Sequence, residues 1–180
     1  MPIIYLSPST QEFNPYITGG NEEQYMNLIA DAMIPYLRAS GIDFVRNRPG
    51  MTTAEVINQS NAGNYDLHLA LHSNASPESS PGSLQGTDVY YFSASSRGRR
   101  AARIIADNFK DIYPNPNLVK AVATTTLAEV SQTRAPSVLI EIAYHDNPDD
   151  ADWIKENVTS IARNLVLSLT EYFGIPFQSP

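Results

Sequence analysis

The chain has no cysteine among its 180 residues. That absence excludes a disulfide framework, a thiolate zinc site, an iron–sulfur cluster and a cysteine nucleophile. Histidine is scarce as well, with three in all. A transition metal would therefore need a histidine, a carboxylate, a side-chain amide or water as its donors. Basic residues are in the minority: 12 Lys and Arg against 19 Asp and Glu leave a net charge of −7. This balance argues against a nucleic-acid partner, which calls for a basic face. Arg97, Arg99, Arg100 and Arg103 cluster, but no aromatic residues interleave with them, and they read as a solvated helix face. No apolar run approaches the ~20 residues of a membrane span. The opening Met1-Pro2-Ile3-Ile4-Tyr5-Leu6 has neither the charged start nor the long apolar core of a signal peptide. Residues 1–180 read as one soluble, acidic domain, expected to be a monomer, with a short polar tail from about residue 176.

What is present is an apolar period that switches repeatedly between two and 3.6, the pattern of an α/β protein. Pro2 to Leu6 reads as a first strand, followed by a polar loop to Gly20. Asn21 caps a helix with Gln24 placed as in a capping box, and Met26, Ile29, Ala30, Met33 and Leu37 form its apolar stripe. Pro35 should bend this helix or loosen its last turns, and Gly41 stops it. Ile42 to Arg46 is a second strand. A short helix starts at Thr52 or Thr53, and Tyr65 to Leu71 alternates cleanly as a strand. Ser76 to Gly86 is an exposed loop, Thr87 to Phe92 a strand, and about Ser96 to Ile112 a helix closed by Pro114 and Pro116. Leu127 to Val130 is expected as a short strand, Ser137 to Ala143 as a buried one. Asn147-Pro148 then opens one long final helix.

His68 and His72 lie four apart on an alternating strand, a span of ~13 Å, so they do not ligate one metal together. His68 is mid-strand and reads as a hydrogen-bonded core histidine. His72 is at the strand end, where ligands gather in open α/β sheets; its position leaves ligand and structural readings both open. Glu141 holds the analogous place in Ser137-Val138-Leu139-Ile140-Glu141-Ile142. An ionisable group in such an apolar run costs several kcal/mol unless paired, protonated or near a metal. Glu23, three residues before Met26, points to the core-facing side of the first long helix, and Glu22 points about 100° away. Together Glu23, His72 and Glu141 suggest a mononuclear zinc hydrolase, two residues holding metal and a third taking a proton from water.

The segments that carry these residues resemble the zinc-dependent N-acetylmuramoyl-L-alanine amidases, the family called Amidase_3. Asn21-Glu22-Glu23-Gln24-Tyr25-Met26-Asn27-Leu28 resembles the family's first helix, where a ligand Glu precedes an Asn by four, an offset that selects Glu23. Leu71-His72-Ser73-Asn74-Ala75 resembles its strand-end His-x-Asn-Ala motif. Pro136 to Glu141, with His145-Asp146-Asn147, resembles the strand of the catalytic Glu. The resemblance implies a mixed, mostly parallel sheet of about six strands flanked by helices, amidase/phosphorylase-like. It implies a zinc cofactor, peptidoglycan as substrate and action at the bacterial cell wall, by an export route this chain does not reveal. Glu141 would be the catalytic base, and Glu23 and His72 metal ligands. Asn74 would contact substrate, and Arg134, just before the strand of Glu141, is placed either to bind a peptide carboxylate or the developing oxyanion or to form a surface ion pair.

One departure stands out. The family places Gly-His-Gly after its first strand, and that His is a zinc ligand; here Pro8 occupies the position within Ser7-Pro8-Ser9-Thr10-Gln11-Glu12. Three outcomes follow. Gln11 or Glu12 replaces the ligand from the same loop, His145 supplies it from another, or the domain binds metal poorly and serves as a non-catalytic peptidoglycan-binding or regulatory module.

Overall fold

Alternation and capping translate directly into elements in a computed structural model that describes residues 1–180. The strands are β1 (Ile3–Pro8), β2 (Asp43–Arg46), β3 (Leu67–Asn74), β4 (Thr87–Phe92), β5 (Val119–Thr124) and β6 (Ser137–Tyr144). The helices are α1 (Glu22–Ala39), α2 (Thr53–Ala62), α3 (Ser96–Phe109), α4 (Ala128–Ser131), α5 (Pro148–Glu156) and α6 (Val158–Phe173). The six strands form one sheet in the order β2-β1-β3-β6-β4-β5. Every neighbouring pair is parallel except β4 with β6, so the sheet is mixed and mostly parallel, as the family resemblance implies.

Local chemistry accounts for the helix ends. The Asn21 side chain accepts the Gln24 N–H at the start of α1, and Thr52 and Glu55 close a full capping box on α2. α1 runs through Pro35 to Ala39, and Gly41 then adopts φ +72° to turn the chain into β2.

Three expectations are corrected. Leu127 to Val130 is not a strand: the Leu127 carbonyl accepts the N–H groups of Val130 and Ser131, which winds the segment into the single turn α4. The final helix is two helices, because Asn157 leaves helical geometry with ψ +19° and its side chain bonds the Trp153 carbonyl. α3 also stops at Phe109, a turn earlier than the apolar pattern suggests.

The sheet has two unlike faces. Ile4 and Leu6 of β1, Leu69 and Leu71 of β3, and Val138, Ile140 and Ile142 of β6 point to one side. There they join residues of α1, α3, α5 and α6 in a cluster of 32 buried residues, which is the core. The opposite face has only a three-residue apolar cluster, Ala70, Val130 and Leu139, under the small cover of α2 and α4. Other positions of that face carry Tyr5, Ser7, His68, His72, Asp88 and Glu141.

Candidate active site

His72 and Glu141 are register partners on the adjacent parallel strands β3 and β6, at the carboxyl end of the sheet. The chain adds a third group from α1. Glu22, 1% exposed, sets Oε1 2.9 Å from His72 Nδ1, and the same oxygen accepts the Ser73 N–H at 3.4 Å. Its other oxygen accepts from Asn14 Nδ2 at 2.7 Å. On the far side of the imidazole, His72 Nε2 lies 3.2 Å from Oε1 of Glu129, whose Oε2 meets His68 Nε2 at 2.8 Å and the Ser7 hydroxyl at 2.8 Å.

The electrostatics follow from this packing. Burial alone would lower the His72 pKa, but Glu129 and Glu22, accepting from its two nitrogens, hold it well above the usual histidine range. Burial would raise both carboxyls; hydrogen bonds from His68 and His72 hold Glu129 well below the usual carboxylate range. Donation from His72, with help from Asn14 and Ser9, lowers Glu22. Glu141 behaves oppositely. Burial pushes it up to about 7, with Glu22 and Asp88 adding to the rise and His72 opposing it. Its Oε2 is enclosed and has no hydrogen-bond partner. An unpaired enclosed oxygen is costly to keep, and it is a ready acceptor for a proton brought by water or substrate.

The acidic residue brought to His72 is thus Glu22, and the expectation that Glu23 faces the site is corrected. Glu22 is the first residue of α1, and its side chain leans back past the helix end over the sheet. Glu23 lies to the outside, lining a groove with Gln24, Asn27, Asp31, Arg46 and Pro49.

The other candidates are placed as follows. Gln11 is spent on Asn14, its Oε1 accepting from Asn14 Nδ2 at 2.7 Å, so it supports Glu22 indirectly. Glu12 is exposed. His145 is buried near the site, but its Nδ1 pairs with the Ser73 hydroxyl at 2.9 Å and its ring stacks on Tyr16 at 5.4 Å. Asn74 lies at the end of β3, where its Oδ1 accepts the Ala75 N–H and its carbonyl the His145 N–H. Arg134 is at the opposite end of β6, four residues of strand from Glu141 after Ser137, or ~13 Å, and it bonds the Asn61 carbonyl at 3.0 Å. The structure therefore does not bring Arg134 to the site.

Two site residues escape sequence reasoning. Glu129 sits in Leu127 to Val130, where the sequence predicts a strand and the structure has the turn α4. Ser9, 2% exposed, follows Pro8 and is tied by its N–H to the Leu71 carbonyl, which leaves its hydroxyl beside Glu22. A hydroxyl one residue past a strand end was the available signal for Ser9. For Glu129 the signal was an acidic residue between Leu127 and Val130, flanked by apolar neighbours.

The donor set can be tested against a metal ion. Glu22 Oε1 and His72 Nδ1 converge at 2.9 Å, and two ligands of one tetrahedral zinc lie about 3.3 Å apart for bonds near 2.0 Å. These two donors fit with a small opening of the pair. No third His, Asp or Glu converges with them closely enough to complete a three-residue metal site. Pro8 offers only its carbonyl, which accepts from Asn47.

Comparison with known proteins places this site in context. The sequence profile of Amidase_3, described as N-acetylmuramoyl-L-alanine amidase, matches residues 11–171. N-acetylmuramoyl-L-alanine amidase LytC of Bacillus subtilis (strain 168) is 31% identical over 79% of the chain. The chain spans 29% of the length of LytC. Among solved structures, N-acetylmuramoyl-L-alanine amidase AmiC2 of Nostoc punctiforme superposes with a TM-score of 0.82 at 15% identity, covering 96% of this chain and 97% of that one. Cwp6 from Clostridium difficile superposes with a TM-score of 0.81 at 24% identity, over 95% of this chain and 29% of that one. At these identities the superpositions speak to the fold.

Proposed function

Because the chain belongs to the N-acetylmuramoyl-L-alanine amidase family Amidase_3, we propose that it hydrolyses the amide between the lactyl group of N-acetylmuramic acid and L-alanine in peptidoglycan. The observation that carries this reading is Glu141, whose buried, partnerless Oε2 lies beside the converging Glu22–His72 pair. Glu22 Oε1 and His72 Nδ1 would hold a zinc ion, which when bound polarises a carbonyl and makes a water more acidic. Glu141 Oε2 accepts the proton of the attacking water and delivers it to the leaving nitrogen of L-alanine. A carboxyl pushed up to about 7 suits both halves of that task, since it takes and returns a proton near neutrality.

Other parts of the chain orient the substrate. Asp146 accepts the N–H groups of Ser76 and Gly82, and Asn147 bonds the Gly82 carbonyl, so the loop from Ser76 to Gly86 is fastened beside the carboxyl end of β6. This loop would wall a groove for a glycan–peptide strand, with Asn74 at its floor. The place of action would be the cell wall, where the substrate is. No helix is long and apolar enough to cross a membrane.

The shortage of a third protein donor favours a second reading, a module that binds peptidoglycan without cutting it. One assay separates the two. Purified protein with Zn(II) and muropeptides should release new L-alanine amino termini, and Glu141→Gln should not. No release by wild type, together with retained binding to sacculi, overturns the amidase reading in favour of the module.

A further inference from the structure

His72 is held from behind by a carboxylate that the hydrolytic chemistry does not use. Glu129 spans the two histidines of β3: Oε2 is fixed by His68 Nε2 and the Ser7 hydroxyl, each at 2.8 Å, and Oε1 reaches His72 Nε2 at 3.2 Å. His68 is itself pinned. It is fully buried, its Nδ1 is 2.9 Å from the Ser60 hydroxyl, and its ring stacks on Tyr5 at 5.1 Å. The anchor therefore does not depend on His72. An ionised carboxylate only accepts, so each ring nitrogen that meets Glu129 must present an N–H. For His72 that nitrogen is Nε2. The nitrogen directed to Glu22 is then Nδ1, which donates to Glu22 in this structure and, once that proton is released, would offer its lone pair to a metal.

We propose that Glu129 is a positioning residue, which holds the His72 ring by its Nε2–H so that Nδ1 faces Glu22 and the reacting centre. This inference rests on the amidase reading only for its consequence in metal binding. Carboxylate partners behind a ligating imidazole set its orientation and tautomer, and their loss weakens metal affinity by about 10- to 100-fold. Here the partner comes from α4, a single turn with no side-chain cap, so its carboxylate is located by Ser7 and His68 and not by the helix.

Glu129→Asp is the informative variant. It preserves the charge but shortens the reach by about 1.5 Å, and the 3.2 Å contact to His72 should open before the two at 2.8 Å. Long-range ¹H–¹⁵N spectra of zinc-free wild type should show a slowly exchanging proton on His72 Nε2. In Glu129→Asp that proton should be lost while His68 keeps its own. Zn(II) affinity, measured by competition with a chromophoric chelator, should fall about 10- to 100-fold, with Glu129→Ala at least as weak. The proposal is overturned if wild-type His72 carries no protected Nε2 proton, a measurement that needs no variant to fold. It is also overturned if both variants keep that proton and bind Zn(II) within about twofold of wild type. A wild type that binds no Zn(II), yet has the Nε2 proton and loses it in Glu129→Asp, would sink the amidase reading and leave the positioning role intact.

Discussion

On one face of the sheet, Leu69, Leu71, Val138 and Ile140 are completely buried against helices. On the other, one step along the same strands, stand His68, His72 and Glu141. Both faces are enclosed, but by different means. The first is held by hydrocarbon removed from water, which has no direction and tolerates many partners. The second is held by directed hydrogen bonds among Ser7, Ser60, His68, His72, Glu129 and Glu22, each of which fails if a partner is lost. The apolar face makes the domain stable, and the polar face accepts an unfavourable group, Glu141, that a structure built for stability alone would omit.

The strongest way to test this division is Glu141→Gln. Turnover on muropeptides should fall about 10²- to 10⁴-fold. Stability should move the other way. The Glu141 carboxyl is raised from 4.5 to about 7 in the folded chain. The folded state therefore keeps this proton to a higher pH than the unfolded chain does. The stability tied to this proton is fully present below about pH 4.5 and is lost as pH rises through about 7. At pH 8 in chelator, Glu141→Gln should be more stable than wild type by on the order of 3 kcal/mol, and denaturant titrations across that window should show a flatter profile. A variant that is inactive and also destabilised at pH 8 would break the comparison.

Its neighbour on the other face, Ile140→Ala, should cost about 2–5 kcal/mol, read from urea unfolding, with turnover per folded molecule within about twofold of wild type. Glu22→Gln and Glu23→Gln sharpen the boundary of the polar face. The first should lower Zn(II) affinity and turnover by about tenfold or more; the second should leave both within about twofold. Reversal of that order would return Glu23 to the site. The smallest effect is expected of Arg134→Ala, at the far end of β6, with stability changed by about 0.5 kcal/mol or less and turnover unchanged.

Much of this was open to inspection in the chain alone. Alternation in β3 and β6 identified which residues share a face, the caps at Asn21 and Thr52 began their helices, and His72 and Glu141 could be singled out as chemistry-bearing strand ends. The choice between Glu22 and Glu23 was not legible. Helical periodicity says which side of a cylinder a residue occupies, but a first-turn side chain reaches beyond the end of the cylinder, and what lies there is another part of the chain. Glu129 was hidden for a related reason. Thr124-Thr125-Thr126 favours extended backbone, while the Leu127 carbonyl closes a helical turn only when α4 packs on β6, β4 and α2.

The lack of cysteine and the three histidines limited any metal to nitrogen and oxygen donors, and strand geometry kept His68 and His72 from sharing an ion. Those conclusions need only composition and the repeat of a strand. That one carboxylate should nonetheless join the two histidines, and that Glu22 should close on the other side of His72, was decided by tertiary structure. Local sequence sets a residue's face. Its partners come from positions 50, 57 and 61 residues away, and only the packed chain brings them within hydrogen-bonding distance.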